Sequence, residues 1–369
     1  MHFIQPDKHT RRAFLRRAGQ LAFTGAALPT ALNLAAMGEA AAFNATDYKA
    51  LVCVFLNGGN DYANTVINYD NASYDQYSAI RGGGAGRTAG GIALAQAALT
   101  PTRLVPTVAL PNGREYALHP SMTGLANLFN NGQAAVQLNV GPLVVPLTRQ
   151  QYNSNNAAYP KPPKLFSHND QQSVWQSYGQ EGSVAGWGGR AADLVLSGNG
   201  QASLTCINTA GSAVYLAGQH AVPYMVNPSG VPEVSALGAP FGMFGSSVAR
   251  DALRQLITQT AQPHVLASEH ARIMDRALTV NAQLRAALAA QPALSTSFDE
   301  GNALGRQLRM VAQLLSARTT LGMSRQVFFV QLGGFDMHDH LSTQHPVLLG
   351  QVATALTQFQ QALDALGLA

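Results

Sequence analysis

Past the apolar run VFFVQL (327–332) and a double glycine, Asp336, His338, Asp339 and His340 crowd into five positions. The chain has only ten histidines and 11% charged residues, so this is a local concentration of metal donors. Carboxylate oxygen beside imidazole nitrogen suits zinc, manganese or a similar divalent ion. The plainer reading is a surface loop of solvated polar groups. A second cluster, LNGGNDYANTVIN (56–68), sets Asn57, Asn60, Asp61, Asn64 and Thr65 around a Gly-Gly turn. Asp61 can serve there as an oxygen ligand, calcium included; an Asn/Asp-rich turn explains the same residues.

A third cluster is LFSHNDQQSVWQS (165–177). Ser167 stands directly before a helical pattern, with Asp170 three residues on, which reads as a capping box. A serine in that place also faces unpaired N–H groups and the positive end of the helix dipole, where a phosphoryl or sulfuryl oxyanion is stabilised. His168 beside it can bind metal or move a proton. The candidate attacking hydroxyls are Ser167 and Thr65. His119 and His345 each precede a proline and mark helix starts; His220, His264 and His270 show no partners. The chain lacks a CxxC pair, a P-loop, a GxSxG elbow and an HExxH helix.

Elements must bring these clusters together. ALVCVFL (50–56), AAVQLNV (134–140), SLTCIN (203–208) and VFFVQL (327–332) are nearly continuous apolar runs, the pattern of strands covered on both faces. Helical spacing covers 121–130, 184–196, 246–260, 265–290, 300–320 and 347–366, with Ser297 and Asp299 as capping candidates for the fifth. Strands alternating with helices predict an α/β fold with helices on both faces of a mostly parallel sheet. Ligands in such sheets sit beyond the carboxyl ends of the strands, where the clusters stand. The runs 81–91 and 152–164 read as long loops, candidate walls of a site.

The 369 residues are 47% hydrophobic, which excludes intrinsic disorder. Five of the 23 basic residues lie before residue 18, and beyond residue 42 the balance is 18 basic against 17 acidic. No basic stripe points to nucleic acid. TRRAFLR (10–16), the mild apolar stretch 18–36 and small residues at 40–42 predict a twin-arginine signal peptide over 1–42. The expected partner in export is the Tat translocase, and the expected location is periplasmic or secreted. No stretch predicts a stable membrane span. Cys53 and Cys206 read as an unpaired buried pair.

Taken together, LVCVFLNGGNDYANTV, YALHPSMTGLANLFNNGQAAVQLNVG, FSHNDQQSVWQS, GWGGRAADL and VFFVQLGGFDMHDHLSTQH resemble one family from about Tyr48 onward. It is the twin-arginine-exported domain of unknown function 1501, grouped with the alkaline-phosphatase-like and sulfatase-like fold. The resemblance implies an alkaline-phosphatase-like three-layer sandwich over 43–369. It implies a divalent metal and hydrolysis of a small phosphate or sulfate ester. By that likeness Ser167 stands at the nucleophile and Asp61 near the first-strand metal ligand. Asp336 and His340 carry the spacing of a phosphatase zinc site. Asp336 and His338 match the family's Asp-Thr-His, with Met337 in place of threonine. Family members continue into a further Asp-His strand end, so the fold and the metal site are expected to be incomplete at the C-terminal end. The alternatives are a non-catalytic envelope binding or assembly protein, and an inactive truncated paralogue.

Overall fold

Two apolar strands set the frame. β1 (Lys49–Leu56) runs parallel to β6 (Arg325–Leu332) in full register, from Lys49 opposite Arg325 to Leu56 opposite Leu332. In this computed structural model, residues 47–368 are described apart from 180, 212 and 241. The predicted signal peptide (1–42) therefore lies outside the described residues. Between the two strands the chain makes a short antiparallel pair, β2 (Val66–Asn68) with β3 (Tyr116–Leu118), and the strands β4 (Cys206–Asn208) and β5 (Tyr224–Met225). The main sheet has the order β1-β6-β4-β5, and all three pairings are parallel. The fold is thus mixed α/β with a parallel sheet, as its continuous apolar runs predict.

The side chains of β6 divide between two cores. Phe328, Val330 and Leu332 enter the larger one, with α8 (Ala303–Ser316) and α9 (Leu341–Ala365). Val327 and Phe329 enter the smaller one, with α5 (Trp187–Asp193) and the turn carrying Tyr215 and Leu216. β1 divides in the same way: Val52 and Val54 pack on the first core, Cys53 and Phe55 on the second. The period of two along each strand places helices on both faces. A third cluster, around Ile67, Tyr74 and Leu99, roots α1 (Asn71–Ile80) on the β2–β3 pair.

Several expectations are corrected. The run 134–140 is irregular and mostly exposed. It has strand propensity but no hydrogen-bonding neighbour among the described residues; Val136 and Leu138 instead line a small apolar depression with Leu104 and Phe129. In SLTCIN only the last three residues pair. The cap of α8 is Asn302, whose side chain accepts from the Leu304 and Gly305 amides, not Ser297 or Asp299. α9 begins at Leu341, so His345 lies inside its first turns, not at its start. The remaining helices are α2 (Thr123–Asn130), α3 (Arg149–Asn153), α4 (His168–Ser177), α6 (Ser247–Thr258) and α7 (Val265–Ala289). No helix of the described residues is long and apolar enough to cross a membrane. Cys53 and Cys206 are free thiols, and burial pushes them up to about 11 and about 12.

Candidate metal centre

β1 and β6 end side by side, and their tips are tied together. The Asn57 side chain donates to Gln331 Oε1 at 2.9 Å, and the Phe335 amide donates to the Asn57 carbonyl at 3.2 Å. Gly58 takes φ +112, and a Cβ there would overlap the Asp336 backbone; this explains a glycine two residues past the end of β1. Phe335 is wholly buried and packs edge-on to the His345 ring. Anchored by that ring, the next residue, Asp336, faces outward.

There it meets two imidazoles. His338 Nε2 lies 3.4 Å from Asp336 Oδ1, and His168 Nε2 lies 3.4 Å from Asp336 Oδ2. One donor atom from each of the three residues lies within 4.8 Å of the others, and all three are exposed. The donor chemistry fits a transition metal. Ligands at about 2.0–2.1 Å around a tetrahedral zinc stand about 3.4 Å apart, so small rotations close the set. Three protein donors leave a position open for water or substrate, as catalytic sites require. Two imidazoles fit calcium poorly, because calcium takes six to eight oxygens.

His168 reaches the rim because α4 starts there. Ser167 caps this helix, and its hydroxyl donates to Asp170 Oδ2 at 2.7 Å. Asp170 is buried; its other oxygen accepts from the Glu181 amide at 3.1 Å, and Lys164 Nζ lies 3.2 Å from Oδ2. The Ser167 hydroxyl first, then the Glu181 amide and the Lys164 ammonium, hold its pKa below the usual carboxylate range against desolvation. Asp170 is therefore ionised at neutral pH. It orients the Ser167 hydroxyl more than it takes its proton. The sequence shows Asp170 only as a capping partner, and Lys164 only as part of a polar loop.

The other candidate residues are placed elsewhere on the rim. Asp61 is ion-paired with Arg81 at the end of α1, both side chains largely buried, and its Oδ2 has no hydrogen-bond partner among the described residues. Thr65 donates to the Asp61 carbonyl at 2.8 Å and sits 3.2 Å from the Asn60 side-chain nitrogen. Asn60 Oδ1 is 2.9 Å from His345 Nε2. Burial lowers the pKa of His345, and it lowers that of His119, whose ring lies 6.0 Å from His345, to about 4. Both rings are thus neutral at pH 7. His340 stands outside the triad, with Nε2 3.7 Å from Asp339 Oδ2. Arg81, the partner that decides the surroundings of Asp61, gives no signal in the sequence beyond opening a glycine-rich run.

A family model described as "Protein of unknown function (DUF1501)" matches residues 48–369. Nothing among the curated proteins and nothing among the solved structures matches the chain.

Proposed function

The chain belongs to the DUF1501 family, and from that premise we propose that it is an exported, metal-dependent hydrolase of phosphate or sulfate esters, related to the alkaline-phosphatase-like enzymes. The observation that carries this reading is the convergence of His168 and His338 on the Asp336 carboxylate, each at 3.4 Å. His168, Asp336 and His338 would hold a zinc or manganese ion. A bound metal supplies a Lewis acid that polarises the ester oxygen and favours an ionised attacking group. The remaining work falls to the chain. Ser167, the residue before His168, offers a hydroxyl held by Asp170: it donates to the Asp170 carboxylate and accepts from the Asp170 amide. Lys164, ion-paired with Asp170, keeps that carboxylate ionised and so keeps the Ser167 hydroxyl oriented. Thr65 stands apart from this triad and donates its hydroxyl proton to the Asp61 carbonyl, so the reading rests on the Ser167 hydroxyl. Export rests on the Arg11-Arg12 pair and the apolar stretch behind it, and points to a periplasmic or secreted protein.

Metal content is the direct test. Purified protein equilibrated with zinc or manganese should retain one ion per chain by elemental analysis. Asp336→Ala should lose it, together with any hydrolysis of an aryl phosphate or aryl sulfate. Stoichiometric metal in Asp336→Ala would overturn the reading. Arg11→Lys with Arg12→Lys should hold the chain in the cytoplasm, and unchanged export would remove the twin-arginine route.

A further inference from the structure

A cleft of about 770 Å³ opens beside β5, the strand at the opposite end of the main sheet from β1. The loop 232–239 and the helices α6 and α7 form its walls, and it shares no residue with the metal centre. These walls are strapped together. Arg285 of α7 lies 2.6 Å from Glu233, and Asn281 of the same helix donates to the Pro232 carbonyl. Arg250 of α6 donates to the Gly238 carbonyl at 3.5 Å. The loop is thus tied to both helices, and three of the charged groups that line the cleft are spent on holding it open.

Two charged groups are left over. The side chains of Asp251 and Arg254 are exposed in the cleft and make no hydrogen bond or ion pair among the described residues. They stand three positions apart on α6, so they share one side of that helix. The floor beneath them is apolar, with Met225 of β5, which is 44% exposed, and Met274 and Leu278 of α7. Methionine adapts its shape to what lies on it. An unpaired cation and an unpaired anion over an apolar floor match a zwitterion that carries apolar groups. A fatty acid would set its carboxylate beside Asp251, and a small inorganic anion would leave the floor in water. The spacing fits as well. Side chains three apart on a helix stand about 5–6 Å apart at Cβ, and the two ends of an extended dipeptide are about 7 Å apart.

We propose that this cleft binds short apolar peptides with both ends free, and dipeptides above all. The C-terminal carboxylate meets Arg254, the N-terminal ammonium meets Asp251, and the apolar side chains cover Met225, Met274 and Leu278. This site is independent of the metal-centred reading above.

Four probes separate the terms: leucyl-leucine, its C-terminal amide, its N-acetyl derivative and glycyl-glycine. Titration calorimetry on the full chain should show leucyl-leucine binding at one site. The amide and the acetyl derivative each lose one charge-assisted contact and should bind about tenfold more weakly. Glycyl-glycine keeps both charges but covers no floor, and should also bind about tenfold more weakly. Arg254→Gln should make the amide equal to the free dipeptide within about twofold and keep the preference over the acetyl derivative. Asp251→Asn should do the reverse. Both side chains are exposed on a helix with no buried residue, so the variants fold; circular dichroism checks this. No binding of leucyl-leucine at millimolar concentration, equal affinity for all four probes, or end preferences that survive their matching variants would each overturn the site.

Discussion

Asp61 and Asp336 stand past neighbouring parallel strands, and their charges are met in opposite ways. Asp61 is drawn inward against Arg81, a cation that never leaves. Asp336 stays on the surface and, among the described residues, is paired with His168 and His338, which carry no charge unless protonated. Arg81 engages one oxygen of the Asp61 carboxylate, whereas the two oxygens of Asp336 face imidazoles of a type that completes a ligand set. The same rim of the same sheet thus holds a structural charge pair and an open donor cluster. Residue type alone does not distinguish the two; their neighbours, a guanidinium in one case and two imidazoles in the other, do.

The contrast breaks most directly at Arg81. Arg81→Met leaves the Asp61 carboxylate largely buried without its partner, and should cost roughly 3–5 kcal/mol of stability in denaturant unfolding. Arg81→Met combined with Asp61→Leu should recover most of that loss, because both charges are then gone. Asp336→Asn, on the exposed side, should stay within about 0.5 kcal/mol. Equal costs for Arg81→Met and Asp336→Asn would erase the distinction between the two carboxylates.

Beneath the Asp61 cluster the contrast becomes one of pH. Burial, with a smaller contribution from His345, lowers His119 from 6.5 to about 4. The unfolded chain binds a proton there between about pH 6.5 and pH 4 and the folded chain does not. The stability due to neutral burial is therefore complete above about pH 6.5 and is lost as pH falls toward 4; over the whole window it amounts to about 3 kcal/mol. His119→Asn keeps an acceptor for the Ser121 amide but cannot titrate. Its melting temperature should depend less steeply on pH across that window. An unchanged slope would show that His119 does not titrate as its burial requires.

Ser167 lies on the open side and should cost less. Ser167→Ala removes the cap of α4 and the hydrogen bond to Asp170, for about 1 kcal/mol. Asp170 keeps the Glu181 amide and Lys164, so the helix start survives. Metal content should be unchanged while ester hydrolysis is lost. Loss of the metal as well would mean that Ser167 positions His168 and does not act as a nucleophile.

Much of the frame was legible because continuous apolar runs and helical spacing report burial directly. β1 and β6 fall where VCVF and VFFV announce them. The run 134–140 was not legible, because propensity cannot say whether a hydrogen-bonding neighbour exists; that depends on the whole sheet. The site followed the same rule. Asp336, His338 and His168 could be named, since each directly follows a strand tip or opens a helix. That Asp61 would be claimed by Arg81, twenty positions on, follows from where α1 ends, which no local pattern encodes. Asp170 looked like half of a capping box, but its carboxylate accepts from the Ser167 hydroxyl, a difference of one rotamer.

His340 gives the smallest and sharpest test. It holds φ +53 in the left-handed region, a conformation that side chains with a Cβ disfavour by roughly 1–2 kcal/mol. Glycine relieves that strain, but it adds about 0.4–1 kcal/mol of unfolded-state freedom. The two nearly cancel, leaving His340→Gly more stable by about 0.5 kcal/mol. Glycine is also acceptable at this position, the N-cap of α9. Because the His340 ring lies against Asp339 and outside the triad, metal content in His340→Gly should match the natural chain, whereas His338→Ala should lose the ion. If His340→Gly loses metal and His338→Ala keeps it, the Asp-x₃-His pair holds the ion and the exposed triad does not. The open side of the comparison would then belong to a different pair of side chains on the same loop.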